Sequence, residues 1–551
     1  MRSRIAGAIL FVSLFLVLPL GVTAQEEDVS DNQAAESTGE DGVDLGVGLE
    51  TVQLDGQTWT RLHFFPVLPI GKLQLALDLE LFFDEEGDVS SKGWDFSSRD
   101  ATLDSLSRKI YFIAWNQKQN VTRGDDIFYG RIGALDGITI GDGIIMNNYR
   151  NTLEYPVNKK TGLDFALGNL SPLDVGVEGM IGDFTDLSRG GPVVGGRAFF
   201  SPFAPTEVPV LENLQFGVSG VVDVNQYGGL RDSDGDNYPD VVDRFPEDDS
   251  YALDTDGDGT PDKLDPDADG DNVPEYEIPA DQDTDGDGTT DRETLADILG
   301  ADEVEFGYDQ ETLFDLEGKQ DSFAIAGADV RLPVTGFLSI YAQAATSVDP
   351  DQSGDTDRAE GFGIAAPGFF LDFLPVLSAD LGYRYRSGEF RFGYFNENYE
   401  NERAAVDEDG NVYTKDSTLT DGTLNGVFGS LSANLYIINV YGSYEWLIPI
   451  AGEDDGVSES ISFEARAGLN RERLAEIPVL SNYLDGLSGY FIHKDVDSNS
   501  DLFDMNPSVV MGATAEIALG ESTVLAYDFQ RTFDADGQPV DKMSIGTQTS
   551  F

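Results

Sequence analysis

Four copies of a seven-residue pattern carry the most specific chemistry in this chain: Asp234-Gly235-Asp236-Asn237-Tyr238-Pro239-Asp240, Asp256-Gly257-Asp258-Gly259-Thr260-Pro261-Asp262, Asp269-Gly270-Asp271-Asn272-Val273-Pro274-Glu275 and Asp285-Gly286-Asp287-Gly288-Thr289-Thr290-Asp291. Each is preceded, two residues earlier, by another acid: Asp232, Asp254, Asp267 and Asp283. Hard cations such as Ca2+ take roughly six to eight oxygens, and a loop that supplies carboxylates at alternate positions wraps them around one centre. The spacing for this is acids at positions 1, 3, 5, 9 and 12, with a sharp-turn residue at 6. Asp254, Asp256, Asp258, Asp262 and Asp265 meet it with Gly259 at the turn. Asp232, Asp234, Asp236, Asp240 and Asp243 meet it with Asn237, which tolerates a left-handed backbone. The third set (Asp267, Asp269, Asp271, Glu275) has Ile278 at the twelfth position, and the fourth (Asp283, Asp285, Asp287, Asp291) has Thr294 there, with Glu277 and Glu293 as neighbouring acids. An acidic solvated loop would not repeat this spacing, so the expected ligand is Ca2+. Without metal the carboxylates repel and the segment extends; with metal it becomes compact.

The elements that position these loops are strands. Leu73, Leu75, Leu77, Leu79, Leu81 and Phe83 alternate with Gln74, Ala76, Asp78, Glu80 and Phe82, an apolar row on one face and small or charged groups mostly on the other. Leu377, Ala379, Leu381, Tyr383 and Tyr385 likewise stand opposite Ser378, Asp380, Gly382, Arg384 and Arg386. Val509, Met511, Ala513, Ala515, Ile517 and Leu519 form a further row, and the chain closes on Met543, Ile545, Thr547, Thr549 and Phe551. A soluble sandwich also alternates. Against it stand segments longer than the usual five or six residues of soluble sheets, and polar rows rich in charge and glycine.

Arg2 and Arg4 precede an apolar run from Ile5 to Leu20 and then Val22-Thr23-Ala24, which reads as a secretory signal peptide over 1–24. A flexible acidic arm is expected over 25–46, strands over 47–224, the Asp-rich insertion over 225–320 and strands again over 321–551. With 34 Lys+Arg against 101 Asp+Glu, the net charge of −67 excludes nucleic acid as a partner, since phosphate is bound by clustered cations. The absence of cysteine removes disulfides, thiolate zinc sites and a lipoprotein anchor.

With its signal peptide, repeated amphipathic strands and terminal Phe551, the chain resembles bacterial outer-membrane β-barrel proteins, porin-like or of an uncharacterised kind. The resemblance implies that the barrel-assembly machinery reads Phe551 and that outer-membrane lipid surrounds the barrel. The run from Asp232 to Glu275 resembles thrombospondin type 3 calcium repeats, which fold around their ions. It departs from EF-hands in having no helices beside the loops, and from thrombospondin's own repeats in having no Cys.

The expected fold is therefore all-β: a transmembrane antiparallel β-barrel of about 18 strands, or 16, with an inserted Asp-rich calcium-binding loop module. Candidate strands include 138–147, 376–396 and 478–492. Eleven candidate strands follow the insertion, an odd number, so the insertion and Phe551 lie at opposite ends, and a periplasmic C-terminus makes the insertion extracellular. Asp78, Glu80, Asp174, Glu178, Asp380, Glu464 and Asp528 are candidate lumen carboxylates, with Arg384, Arg386 and Arg466 as a basic strip. Trp59, Trp94, Trp115 and Trp446 are expected at the interfacial girdles. His63 and His493 are the only histidines, and no nucleophile elbow, phosphate loop or zinc signature accompanies them, so no enzyme is expected. The expected function is a porin-like channel for small solutes with an extracellular calcium-binding loop. The alternative is a barrel-anchored surface protein whose calcium module mediates adhesion or surface-layer contacts.

Overall fold

A computed structural model describes residues 44–54, 57–84, 89–90, 109–122, 126–153, 159–206, 208–265, 267–270, 292, 295, 313–348, 360–373, 376–407, 410–450, 457–477, 480, 483–505, 508–518, 523–533 and 538–549. The expected signal peptide and most of the acidic arm lie outside this set, as do Trp94, Asp271, Glu275, Asp283, Asp285, Asp287, Asp291 and Phe551.

Among the described residues, the alternating segments form one antiparallel sheet of twenty staves, Leu73–Leu77 and Leu79–Phe83 counting as one stave interrupted at Asp78. In chain order they are β1 Asp44–Leu54, β2 Gln57–Ile70, β3 (the interrupted stave), β4 Ile110–Trp115, β5 Phe128–Gly133, β6 Gly162–Leu167 and β7 Gly176–Ile181. There follow β8 Val193–Phe200, β9 Gln215–Asp223, β10 Phe323–Thr335, β11 Leu338–Val348, β12 Gly361–Phe373, β13 Leu377–Gly388 and β14 Leu424–Leu435. The last six are β15 Ile438–Pro449, β16 Ser460–Leu469, β17 Gly486–Val496, β18 Val509–Ala518, β19 Thr523–Phe533 and β20 Pro539–Thr549. Each stave pairs with the next, and β20 pairs back onto β1, with Val47 opposite Thr549 and Glu50 opposite Gly546. Among the described residues every stave thus has a hydrogen-bonded neighbour on both sides; β20 meets β1 over four residue pairs, and the Leu79–Phe83 half of β3 meets the two-residue strand Val89–Ser90.

Two expectations are corrected. The count is twenty where about 18 was expected, and the membership differs: 44–54 is a stave, whereas 138–147 is not. Gly137 just before that stretch and Gly141 and Gly143 within it adopt φ of +69°, +62° and +86°, which breaks the extended run. Its apolar residues Ile138, Ile140, Ile144, Ile145 and Met146 pack inward as a core. Residues 376–396 stay in the sheet only as far as Gly388, and 478–492 is replaced by Gly486–Val496.

The parity holds. Eleven staves, β10 to β20, follow the insertion, so 224–322 leaves the sheet at the end opposite Thr549. The Thr549 end carries two-residue turns at 71–72, 336–337 and 436–437. The other end carries the long connections 134–161, 224–322 and 389–423.

The two faces of the sheet differ in the sense opposite to that of a soluble protein. Asp78, Glu80, Asp164, Glu178, Arg197, Asp223 and Asp329 are buried on the inner face. Val218, Leu381, Val427, Leu431, Ile364 and Ile517 are exposed on the outer face, Val218 by 61% and Val427 by 54%. Exposed aromatics gather at stave ends. Trp115, Phe128, Phe200, Phe216, Phe337, Phe373 and Tyr436 mark the Thr549 end, with Phe200 on Phe216 (5.9 Å between ring centroids) and Phe337 on Phe373 (6.3 Å). Phe362 and Trp446 mark the other end.

Candidate functional site

The first two Asp-rich units fold alike because their side chains satisfy the loop backbone in the same way. Gly235 N–H donates to Asp232 Oδ1 (2.7 Å) and Asn237 N–H to Asp232 Oδ2 (3.2 Å). In the second unit Gly259 N–H donates to Asp254 Oδ2 (3.0 Å). The turn position is left-handed in both, with φ +80° at Asn237 and +91° at Gly259, so the residues read as turn formers take that role. Asp232, Asp234 and Asp236 each present an oxygen within 4.8 Å of the other two, and Asp254, Asp256 and Asp258 do the same.

The ninth-position acids also close the loops. Asp240 accepts from Ser233 N–H and Oγ (2.7 Å each), and Asp262 accepts from Thr255 N–H and Oγ1 (2.7 Å each). Both oxygens of each carboxylate are thereby engaged in closing the loop. Short hydroxyl residues at the second position, Ser233 and Thr255, supply these donors. Asp265 accepts from Asp267 N–H (2.9 Å), and Gly270 of the third unit lies against Asp256 of the second. Among the third unit's acids, only Asp267 and Asp269 are described.

The donor set fits a hard cation. Asp234 Oδ2, Asp243 Oδ2 and Asp254 Oδ1 are buried and have no hydrogen-bond partner, although such oxygens are costly to leave unsatisfied. Burial pushes the Asp243 carboxyl up to about 6, and Asp236, Asp234 and Asp240 add to that push. A cation among these oxygens would remove the cost and hold them ionised.

A second cluster was not legible in the sequence. Segments 134–153 and 389–403 enter from the end that carries the insertion and pack on the inner face. Ile144 O accepts from Gly393 N–H (3.0 Å) and Phe395 O from Asn147 N–H (3.0 Å), a short parallel ladder. Phe390, Tyr394, Phe395 and Tyr399 join Ile145, Met146 and Tyr149 in a core against Met180, Val221, Phe323, Ile325 and Ala365 of the wall. Gly363 makes room for this, since a Cβ there would overlap the Phe390 ring.

Arg403 anchors the core with no exposed surface. Its Nε and Nη2 bind Asp223 at the end of β9 (2.9 and 2.8 Å), Nη2 also reaches Asn225 O (2.9 Å), and Nη1 reaches Asp186 (2.8 Å) and Glu400 (3.4 Å). Glu400 additionally holds Lys160 Nζ (2.6 Å) and accepts from the Tyr149 hydroxyl.

Burial raises the Glu400 pKa, but Lys160 and Arg403 outweigh it and bring it down from 4.5 to about 2. Burial pushes Asp186 the other way, from 3.8 to about 6. The depressed group contributes stability above pH 4.5 that is lost as pH falls toward 2. The raised group contributes below pH 3.8 and loses its contribution as pH rises through 6. Each term is on the order of 3 kcal/mol. The inward segments are therefore expected to be held most tightly near pH 4 to 5 and less tightly on either side. Amide exchange of 389–403 followed from pH 3 to 8 checks this, and a monotonic profile would contradict it.

The expected lumen carboxylates are mostly on the inner face, but they are paired. Arg61 binds Glu80 (2.9 Å) and Asp78 (3.5 Å); Lys118 binds Asp164 (3.0 Å) and Glu178 (3.2 Å). Arg466 binds Glu464 (2.5 Å), Arg384 binds Glu445, and Asp380 accepts from Tyr341 (2.7 Å). Asp528 accepts from Thr514 (2.8 Å). Asp174 is corrected: it occupies the turn between β6 and β7 at φ +48°. Arg386 does not join a basic strip; it holds the inward segment through Phe390 O (3.1 Å). His493, expected in a surface loop, lies in β17, is fully buried and contacts Leu502 O through Nδ1 (2.8 Å).

No protein-family model matches the sequence, and no curated protein matches it. Among solved structures the chain is similar to a Rhodopseudomonas blastica porin triple mutant, with 13% identity over 77% of this chain and 99% of that one and a TM-score of 0.27. It is also similar to Wzi, an outer-membrane protein involved in group 1 capsule assembly in Escherichia coli and a carbohydrate-binding β-barrel, with 12% identity over 92% and 84% and a TM-score of 0.29. A third is OccK11 (OpdR) of Pseudomonas aeruginosa, with 9% identity over 92% and 95% and a TM-score of 0.30. At these TM-scores the likenesses carry no functional argument.

Proposed function

We propose that this chain is a bacterial outer-membrane β-barrel of twenty strands that passes small solutes, with an extracellular calcium-binding module and a lumen partly occupied by its own inward segments. The observation that carries the membrane reading is the outward face: aliphatic residues exposed along the staves and aromatics at both ends. Phe362 and Phe373 stand near opposite ends of β12, eleven residues apart. At about 3.4 Å per residue and a tilt near 40°, that is roughly 28 Å along the barrel axis, close to the ~25 Å apolar band of outer-membrane barrels. Charges face inward, as a wet lumen requires.

Leu431→Arg, midway along the outer face of β14 between the levels of Trp446 and Tyr436, is expected to cost about 2–4 kcal/mol of stability in lipid. A refolding titration into vesicles reads this, and a neutral substitution would argue against lipid contact.

The paired inner wall supports a channel of weaker cation preference than a bare acidic lumen would have, because each Arg or Lys cancels a neighbouring carboxylate. Calcium is assigned to Asp232, Asp234 and Asp236 with Asp243, and to Asp254, Asp256 and Asp258 with Asp265. Asp240 and Asp262 close the loops. The corresponding acids of the later units extend the same reading. No catalytic role is assigned to His493 or His63.

Planar-bilayer conductance with and without Ca2+ is the test, in the wild type and in a variant lacking residues 231–297. Conductance in both, responding to Ca2+ only with the insertion present, is the expected result. No conductance from a verified folded barrel would leave the surface-protein alternative, in which the module mediates contacts.

A further inference from the structure

We propose that the calcium module and the inward segments are one coupled device: an ion held by Asp232, Asp234 and Asp236 clamps 389–403 and 134–153 onto the inner wall, and its loss releases them. This rests on the calcium reading above and adds to it a regulatory connection.

The connection runs through the stem of the insertion. Gln226 is fully buried three residues beyond Asp223. Its Nε2 donates to Asp416 Oδ1 (2.8 Å) and Asp321 Oδ2 (3.2 Å), and its Oε1 accepts from the Tyr394 hydroxyl (3.1 Å). Gln226 N–H donates to Asp321 O (2.7 Å), which joins the outgoing and returning arms. Asn225 O receives Arg403 (2.9 Å), and a Cβ at Gly229 would overlap Arg403 Cγ. Tyr394 and Arg403 belong to the inward segment, so the stem is bonded directly to it.

The stem is closed at its far side by the first calcium loop. Asn237 O accepts from Leu316 N–H (2.8 Å) on the returning arm, while Asn237 N–H donates to Asp232 Oδ2 (3.2 Å). Tyr227 and Phe314 pack at a tilt across the two arms (5.1 Å between centroids). One of the ties between the arms is therefore made by the turn residue of the loop that would hold the ion.

A cation is called for here by more than the acidic cluster. Asp243 is only 7% exposed and its Oδ2 has no partner, and Asp234 Oδ2 shares that state. Without an ion, the three clustered carboxylates repel and open the loop, Asn237 shifts, and the arms separate. Arg403 and Tyr394 then lose partners on the stem side. Two packed arrangements biased by one ligand are what coupling between sites requires.

The test is hydrogen exchange of the full chain in detergent, in Ca2+ and in chelator, with calorimetric Ca2+ binding measured on the same samples. In the wild type, Ca2+ is expected to slow exchange of 389–403 and 134–153 by about tenfold, within the usual range of coupling. Gly229→Ala touches no carboxylate. It is expected to bind Ca2+ with unchanged stoichiometry while losing that slowing. Gln226→Leu, which keeps volume and removes the side-chain bonds to Asp321, Asp416 and Tyr394, repeats the measurement should Gly229→Ala not fold. Wild type that binds Ca2+ with exchange unchanged would overturn the coupling and leave the calcium reading standing. Wild type that binds no Ca2+ would overturn both. Full slowing retained in both variants would overturn the stem as the route.

Discussion

Arg403→Ala should unseat the inward segments, raising single-channel conductance severalfold and removing amide protection over 389–403 while the sheet stays folded. The guanidinium is fully buried and has partners on Nε and on both terminal nitrogens, reaching Asp223, Asp186, Glu400 and Asn225 O. Removing the guanidinium leaves Asp223 and Asp186 buried without their cation, while Glu400 keeps Lys160, at a cost of about 3–5 kcal/mol. Asp223 is at the end of a wall stave, so that cost falls on the contact between segment and wall. The sheet has hydrogen-bonded partners on both sides of every stave and should survive. Conductance and exchange both unchanged would mean that the aromatic core alone seats the segment.

Replacing Asp232, Asp234, Asp236, Asp254, Asp256 and Asp258 together by Asn should remove two bound Ca2+ per chain and leave the metal-free fold intact. Asn keeps one acceptor oxygen, enough for the N–H of Gly235, Asp236, Tyr238, Asp258, Gly259 and Thr260, so the turns persist at the cost of the Asn237 N–H bond to Asp232 Oδ2. What disappears is the negative charge that a hard cation needs and that repels when none is bound. Calorimetry reads the stoichiometry, and limited proteolysis of 230–270 reads the rigidity. Unchanged stoichiometry would place the ions in the third and fourth units instead.

Much of this was readable residue by residue. Alternation over Leu73 to Phe83 placed Asp78 and Glu80 on the inner face because a pleat has a period of two, whatever lies across it. The eleven staves after the insertion put it opposite Thr549 because antiparallel order conserves parity. The turn roles of Asn237 and Gly259 followed from backbone preference alone. The loop-closing role of Asp240 and Asp262 was not read from the acid spacing, because it depends on Ser233 and Thr255 folding back across seven residues.

The sequence by itself determined which face of each strand is apolar and where carboxylates gather, because each depends on neighbours within a dozen residues; the end at which the insertion emerges followed from counting staves. Only the tertiary structure decided that Ile138 to Tyr149 leaves the wall to pack beside Phe390 to Tyr399, and that Arg403 closes on Asp223 from 180 positions away. In one dimension those apolar runs resemble strands. They are assigned to the interior by shape and charge that exist only once the inner face has assembled: Gly363 clearing space for Phe390, and Asp186, Asp223 and Glu400 converging on one guanidinium.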